Sequence, residues 1–156
     1  MGHSFGGAAA ALALRDRRIR GGINLDGRLF NPVLETGTDQ PFMLLGRDKH
    51  ADEDPTWNQF WRVLRGPKAM VGVAGTTHSS FTDIPALIQA LGLPEEARAR
   101  VEAMLGSVGG GRMQEIVARL SSSFFSWVLK RDHGALADVV DGFPEVSVKK
   151  SSFKGV

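Results

Sequence analysis

The chain contains no cysteine, so it can hold neither a disulfide framework nor a cysteine-based metal site. No apolar run approaches the roughly 18–20 residues that a membrane span needs, and no signal peptide is visible. Charge of one sign is scarce too. Lys and Arg total 19 against 17 Asp and Glu, and a formal net charge of +2 does not argue for a nucleic-acid partner. The one basic cluster, Lys149, Lys150 and Lys154, reads as a solvated terminus rather than a contact for an anionic surface. Repeats and low-complexity tracts are absent, and no shift in composition divides the 156 residues, about one domain's length. With 42% hydrophobic and 23% charged residues, the composition is that of an ordinary globular domain.

What is present alternates strand and helix signals. An alanine-rich stretch to Leu14 should be helical. Gly22–Leu25, Phe42–Leu45 and Ala69–Ala74 are short apolar runs suited to buried strands. Between the last two, Asp54 can cap a helix whose first position suits Pro55, with Trp57, Phe60, Trp61 and Leu64 at i, i+3, i+4 and i+7. That aromatic stripe reads as core packing before it reads as a lipid-facing cleft. Further helices are expected over about Ser80–Leu91, from Pro94 with Ala97, Val101, Met104 and Leu105 on one face, and over about Met113–Lys130. The last places Ile116, Leu120, Phe124 and Trp127 along one side, and Gly109–Gly111 breaks the two apart. The class is α/β with a mainly parallel sheet.

Gly2-His3-Ser4-Phe5-Gly6 fits a nucleophile elbow, G-x-S-x-G, followed at once by the alanine run that would form its helix. At such a sharp strand-to-helix turn, the positions two before and two after the serine approach closely, which favours glycine at both. The turn lifts the hydroxyl above the sheet at a helix N-terminus, where developing negative charge is stabilised.

A serine hydroxyl becomes a useful nucleophile when an imidazole takes its proton and a carboxylate fixes that imidazole's tautomer. Four histidines are available. His3 lies within the elbow and is expected to point away from the serine. His50 sits in a charged loop and His133 in an Arg-Asp-His-Gly turn, both expected as surface or locally bonded residues. His78 follows the strand Ala69–Ala74 through a short loop, where this fold presents its base. Two aspartates compete for the acid: Asp26, at the end of Gly22–Leu25, and Asp48, just past Phe42–Leu45. Both stand at carboxyl ends of strands, where catalytic groups gather in open α/β sheets, and periodicity does not choose between them.

Gly2–Gly7, Ile23-Asn24-Leu25-Asp26-Gly27 and Thr77-His78-Ser79-Ser80-Phe81-Thr82-Asp83 together resemble the platelet-activating-factor acetylhydrolase family and its bacterial lipase-like relatives, from Met1 to about Leu91. The resemblance implies an α/β-hydrolase fold and hydrolysis of carboxylic esters through Ser4 as nucleophile, His78 as base and Asp26 as acid. Asp48 is the alternative acid. The backbone N–H of Phe5 would be one oxyanion donor. No metal or organic cofactor is implied, and no partner beyond a small-molecule or lipid ester.

An elbow follows a strand, yet only Met1 and Gly2 precede His3. The expectation is therefore the C-terminal part of the fold: the elbow, then three further parallel strands with flanking helices. The central and N-terminal strands would be missing, Met1 would be an internal methionine, and Gly22–Leu25 would be an unpaired sheet edge. Residues 1–143 would form this part of one domain and 144–156 a loosely held tail. A second oxyanion donor, supplied in this fold by a loop after an early strand, would be missing as well. Two alternatives stand beside the esterase: a non-enzymatic remnant of such a hydrolase, and a peptidase or acyltransferase on the same fold.

Overall fold

The computed structural model describes residues 1–92, 94–132 and 135–153. Its centre is a sheet of five strands in the order β1-β2-β3-β4-β5. β1 is Gly2–His3, β2 Gly22–Leu25, β3 Phe42–Arg47, β4 Lys68–Val73 and β5 Val146–Ser151. The first four run parallel, and β5 pairs antiparallel with β4. Strands β2 to β4 are covered on both faces, which is why they read as unbroken apolar runs rather than as alternating ones.

The pleat divides the core. Ile23, Leu25, Met43, Leu45, Val71 and Val73 face one side, where Ile116, Leu120 and Phe124 of the long helix α7 (Gly110–Lys130) cover them. Phe42, Leu44 and Met70 face the other. There they meet Ala8 and Ala11 of α1 (Phe5–Ala13) and Trp57 and Phe60 of α4 (Pro55–Val63). The aromatic stripe of α4 is thus core. Asp54 caps that helix, accepting from the Thr56 N–H at 2.9 Å, with Pro55 at its first position. Short helices α2 (Val33–Thr36) and α3 (His50–Glu53) lie in the loops before β3 and α4.

Several expectations need correction. Residues 144–153 are no loose tail. Val146–Ser151 closes the sheet as β5, and Phe153 is buried against Phe124 and Trp127. Its polar, lysine-bearing sequence suits an edge strand with one solvated face. Nor is β2 an unpaired edge, because Gly2 and His3 lie beside Asn24 and Leu25 as a two-residue strand. The helix expected from Ser80 begins at Ile84 as α5 (Ile84–Ala90), because a single 3-10 turn takes up His78–Phe81. α6 is Glu95–Leu105, with Leu105 buried but Met104 69% exposed, so its expected apolar face is only partly covered. The glycines beyond α6 are not merely a break: α7 starts at Gly110, where a Cβ would collide with the Ala86 backbone of α5. Helix α8 (Ala135–Asp141), which the sequence did not announce, packs on α7.

Candidate active site

Ser4 stands between β1 and α1 with φ +56° and ψ −124°, a conformation an L-residue holds only when its surroundings impose it. Here the Ser4 N–H donates to the Leu25 carbonyl at 2.9 Å, and the Gly7 N–H donates to the Ser4 carbonyl at 2.9 Å. A Cβ on Gly2 would overlap the Gly6 carbonyl, so glycine is required before the serine. A Cβ on Gly6 would meet nothing, so the crowding expected on both sides acts on one.

Asp26 follows β2 with φ +50°, on a turn that Asn24 holds from beneath. The Asn24 amide donates to the Gly27 carbonyl and accepts from the Gly27 N–H, each at 2.7 Å. Gly27 packs so closely on the Ser4 carbonyl that no side chain fits there. The elbow and the aspartate turn therefore fix each other. His78 follows β4 on the 3-10 turn, which is tied down behind it. The Thr77 N–H donates to Ser80 Oγ at 2.8 Å, Thr77 Oγ1 donates to the Met104 carbonyl at 2.8 Å, and Ser80 and Phe81 are buried.

These three turns bring three side chains into line. Ser4 Oγ lies 3.0 Å from His78 Nε2, and His78 Nδ1 lies 2.8 Å from Asp26 Oδ2. The Asp26 side chain is fully buried, while that of His78 is 46% exposed. Burial by itself would raise the Asp26 carboxyl pKa. Hydrogen bonds from His50, the Arg47 backbone N–H and His78 outweigh it and hold the group below the ordinary carboxylate range. An ionised Asp26 makes Nδ1 of His78 the protonated nitrogen and leaves Nε2 to accept from the serine. Asp48 is elsewhere: it binds Lys149 at 2.6 Å and Ser147 at 3.0 Å on β5. The Phe5 backbone N–H opens α1 beside the serine. Its side chain is 74% exposed and packs on Phe30 with ring centroids 5.9 Å apart.

Two histidines behave otherwise than the sequence suggested. His3 does not turn away. Its ring stacks on that of His78 at 4.5 Å, and its Nε2–H donates to the His78 carbonyl at 3.1 Å. His50 is no surface residue: it is 3% exposed, and its Nδ1 lies 2.8 Å from Asp26 Oδ1. No helical spacing marked it, because Asp54 is extended (φ −116°, ψ 102°) and separates α3, which carries His50, from α4, which carries Trp57. The charged residues around it, Arg47, Asp48, Lys49 and Asp52, made it read as exposed. His133 lies outside the described residues. Among the described residues no group of three His, Cys, Asp or Glu side chains could hold a metal ion, and no helix is long and apolar enough to cross a membrane.

Comparison with known proteins bears on this arrangement. A probable 1-alkyl-2-acetylglycerophosphocholine esterase of Arthroderma benhamiae is 31% identical over 160 residues, covering 94% of this chain and 41% of that protein. The solved structure of a ferulic acid esterase from Streptomyces cinnamoneus superposes with a TM-score of 0.79 at 32% identity, over 96% of this chain and 45% of that one. The chain thus spans less than half the length of either relative. It has the mixed α/β architecture of part of an α/β-hydrolase, and the family model for platelet-activating factor acetylhydrolase, isoform II, matches residues 1–132. This chain belongs to that family.

Proposed function

We propose that the site is that of a serine carboxylic-ester hydrolase, with Ser4 as nucleophile, His78 as general base and Asp26 as acid. The observation that carries the reading is the unbroken line Ser4 Oγ–His78 Nε2, His78 Nδ1–Asp26 Oδ2, at 3.0 and 2.8 Å. His78 takes the serine proton as Oγ attacks the ester carbonyl carbon. The Phe5 N–H, at the positive end of α1, donates to the oxyanion. Collapse breaks the ester C–O bond, and the departing alkoxide takes the proton back from His78. Water, deprotonated by the same imidazole, then attacks acyl-Ser4 and releases the carboxylic acid. Asp26 stays ionised throughout and stabilises the imidazolium.

The substrate class is a small-molecule or lipid ester. The names of the two relatives, a glycerophosphocholine esterase and a ferulic acid esterase, support that class and differ in its acyl part. One oxyanion donor is identified in this chain, and loss of a second costs about 10²–10³ in turnover. Ser4 in the isolated chain is therefore activated but turns esters over slowly.

The test is labelling with a fluorophosphonate probe, beside hydrolysis of p-nitrophenyl acetate. Labelling lost in Ser4→Ala and in His78→Ala is the expected result. A folded chain that takes up no probe would favour the non-enzymatic remnant, and turnover of peptides but not esters would favour a peptidase.

A further inference from the structure

The side of Asp26 turned away from His78 is also built. Its Oδ1 lies 2.8 Å from His50 Nδ1 and accepts the Arg47 backbone N–H at 2.8 Å. An ionised carboxylate cannot rest 2.8 Å from a bare ring nitrogen, so His50 Nδ1 carries a proton and donates it. The Arg47 guanidinium, 3.3 Å from the same nitrogen, is then a neighbour and not a donor to it. The His50 ring is held in place by packing. It stacks on Trp57 with centroids 4.1 Å apart, and its Nε2, buried and without a hydrogen bond, lies 3.5 Å from Asp54 Oδ2. Trp57 in turn donates from Nε1 to the Gly27 carbonyl at 2.8 Å, on the turn that carries Asp26. The charged groups around His50 are thus Asp26, Asp54 and Arg47, the last paired with Glu53 as well as Asp26.

We propose that His50 is a positioning residue for the acid: its Nδ1–H fixes the carboxylate rotamer of Asp26, so that Oδ2 stays aimed at His78. The inference rests on the reading of Ser4, His78 and Asp26 as a triad. It gives the α3–α4 segment between β3 and β4 a part in aiming the acid.

The experiment separates the donor from the ring. His50→Phe keeps an aromatic ring on Trp57 and loses the donor. His50→Asn loses the ring and places an amide N–H near the position of Nδ1. Each full chain is measured for its rate of Ser4 phosphonylation, its unfolding midpoint, and the downfield proton resonance of the His78–Asp26 hydrogen bond. Positioning predicts that His50→Phe is slowed about 10- to 100-fold with its fold intact. Its downfield resonance should be broadened or lost, and His50→Asn should react faster than His50→Phe despite lower stability. A merely structural role predicts the opposite order, with rate following stability, and that result would overturn the proposal. So would a wild-type rate in His50→Phe. If the Phe variant does not fold, His50→Gln replaces it, since its amide reaches past the Nδ1 position, and equal rates for Asn and Gln would sink the idea. If wild type takes up no probe, the esterase reading fails by itself. The resonance then decides the His50 proposal: retention in His50→Phe, or in His50→Gln if Phe does not fold, overturns it.

Discussion

At the scale of single residues, the two aspartates make opposite predictions. Asp26→Asn can keep the geometry yet stabilise the wrong tautomer of His78, so phosphonylation of Ser4 should slow by about 10⁴-fold. Asp48→Asn should leave the rate unchanged, because it frees only Lys149 and Ser147 on β5. Probe kinetics on the pair check both. The site also sets the response to acid. The folded-state pKa of Asp26 lies below its unfolded value of about 3.9, so its contribution is full above that value and is lost as pH falls through the folded one. His3 is lowered chiefly by burial, which favours its neutral form in the folded chain. Its contribution is full above about pH 6.5 and is lost as pH falls below it. Denaturant midpoints should therefore drop in two steps, one below about pH 6.5 and one below about pH 4. His3→Gln should remove the first.

At the scale of elements, Asp54 both caps α4 and borders the buried His50. Asp54→Ala should cost about 1 kcal/mol of stability by urea unfolding, and Asp54→Asn, which retains an acceptor for the Thr56 N–H, should recover most of it. That cap was legible in the sequence because Asp54-Pro55 is a local signal with a local cause. The elbow was legible for the same reason: Gly2 and Ser4 are dictated by a turn of a few residues. What was not legible depends on tertiary neighbours. Asp26 and Asp48 both follow strands, and only the placement of β5 draws Asp48 away to Lys149. His50 reads as exposed among Arg47, Asp48, Lys49 and Asp52, and only the stacked Trp57 and the facing Asp26 reveal it as buried. β5 carries lysines where a central strand would carry valines, so its apolar signal is that of a solvated end.

At the scale of the molecule, the sheet is finished unequally. One edge is closed by six residues of β5, the other by the two residues of β1. Removing residues 144–156 should bare the ladder of β4 and strip Phe153 from Phe124 and Trp127. Such an edge pairs readily with other chains, so light scattering should report aggregation of the shortened chain at concentrations where the full one stays clear. Near the β1 edge, Met1 and Phe5 are 64% and 74% exposed. The three aligned side chains all fall within a chain that spans 41–45% of the relatives' lengths, and the walls that choose a substrate are a separate matter.

Trp57 has one further consequence, an optical one. The chain has three tryptophans, and this one is sealed from water, donating to the aspartate turn and stacked on an imidazole. It is placed to emit at short wavelength and to be quenched by its neighbour, so the ultraviolet fluorescence of the unlabelled chain carries a gauge of whether the Asp26 turn is in place.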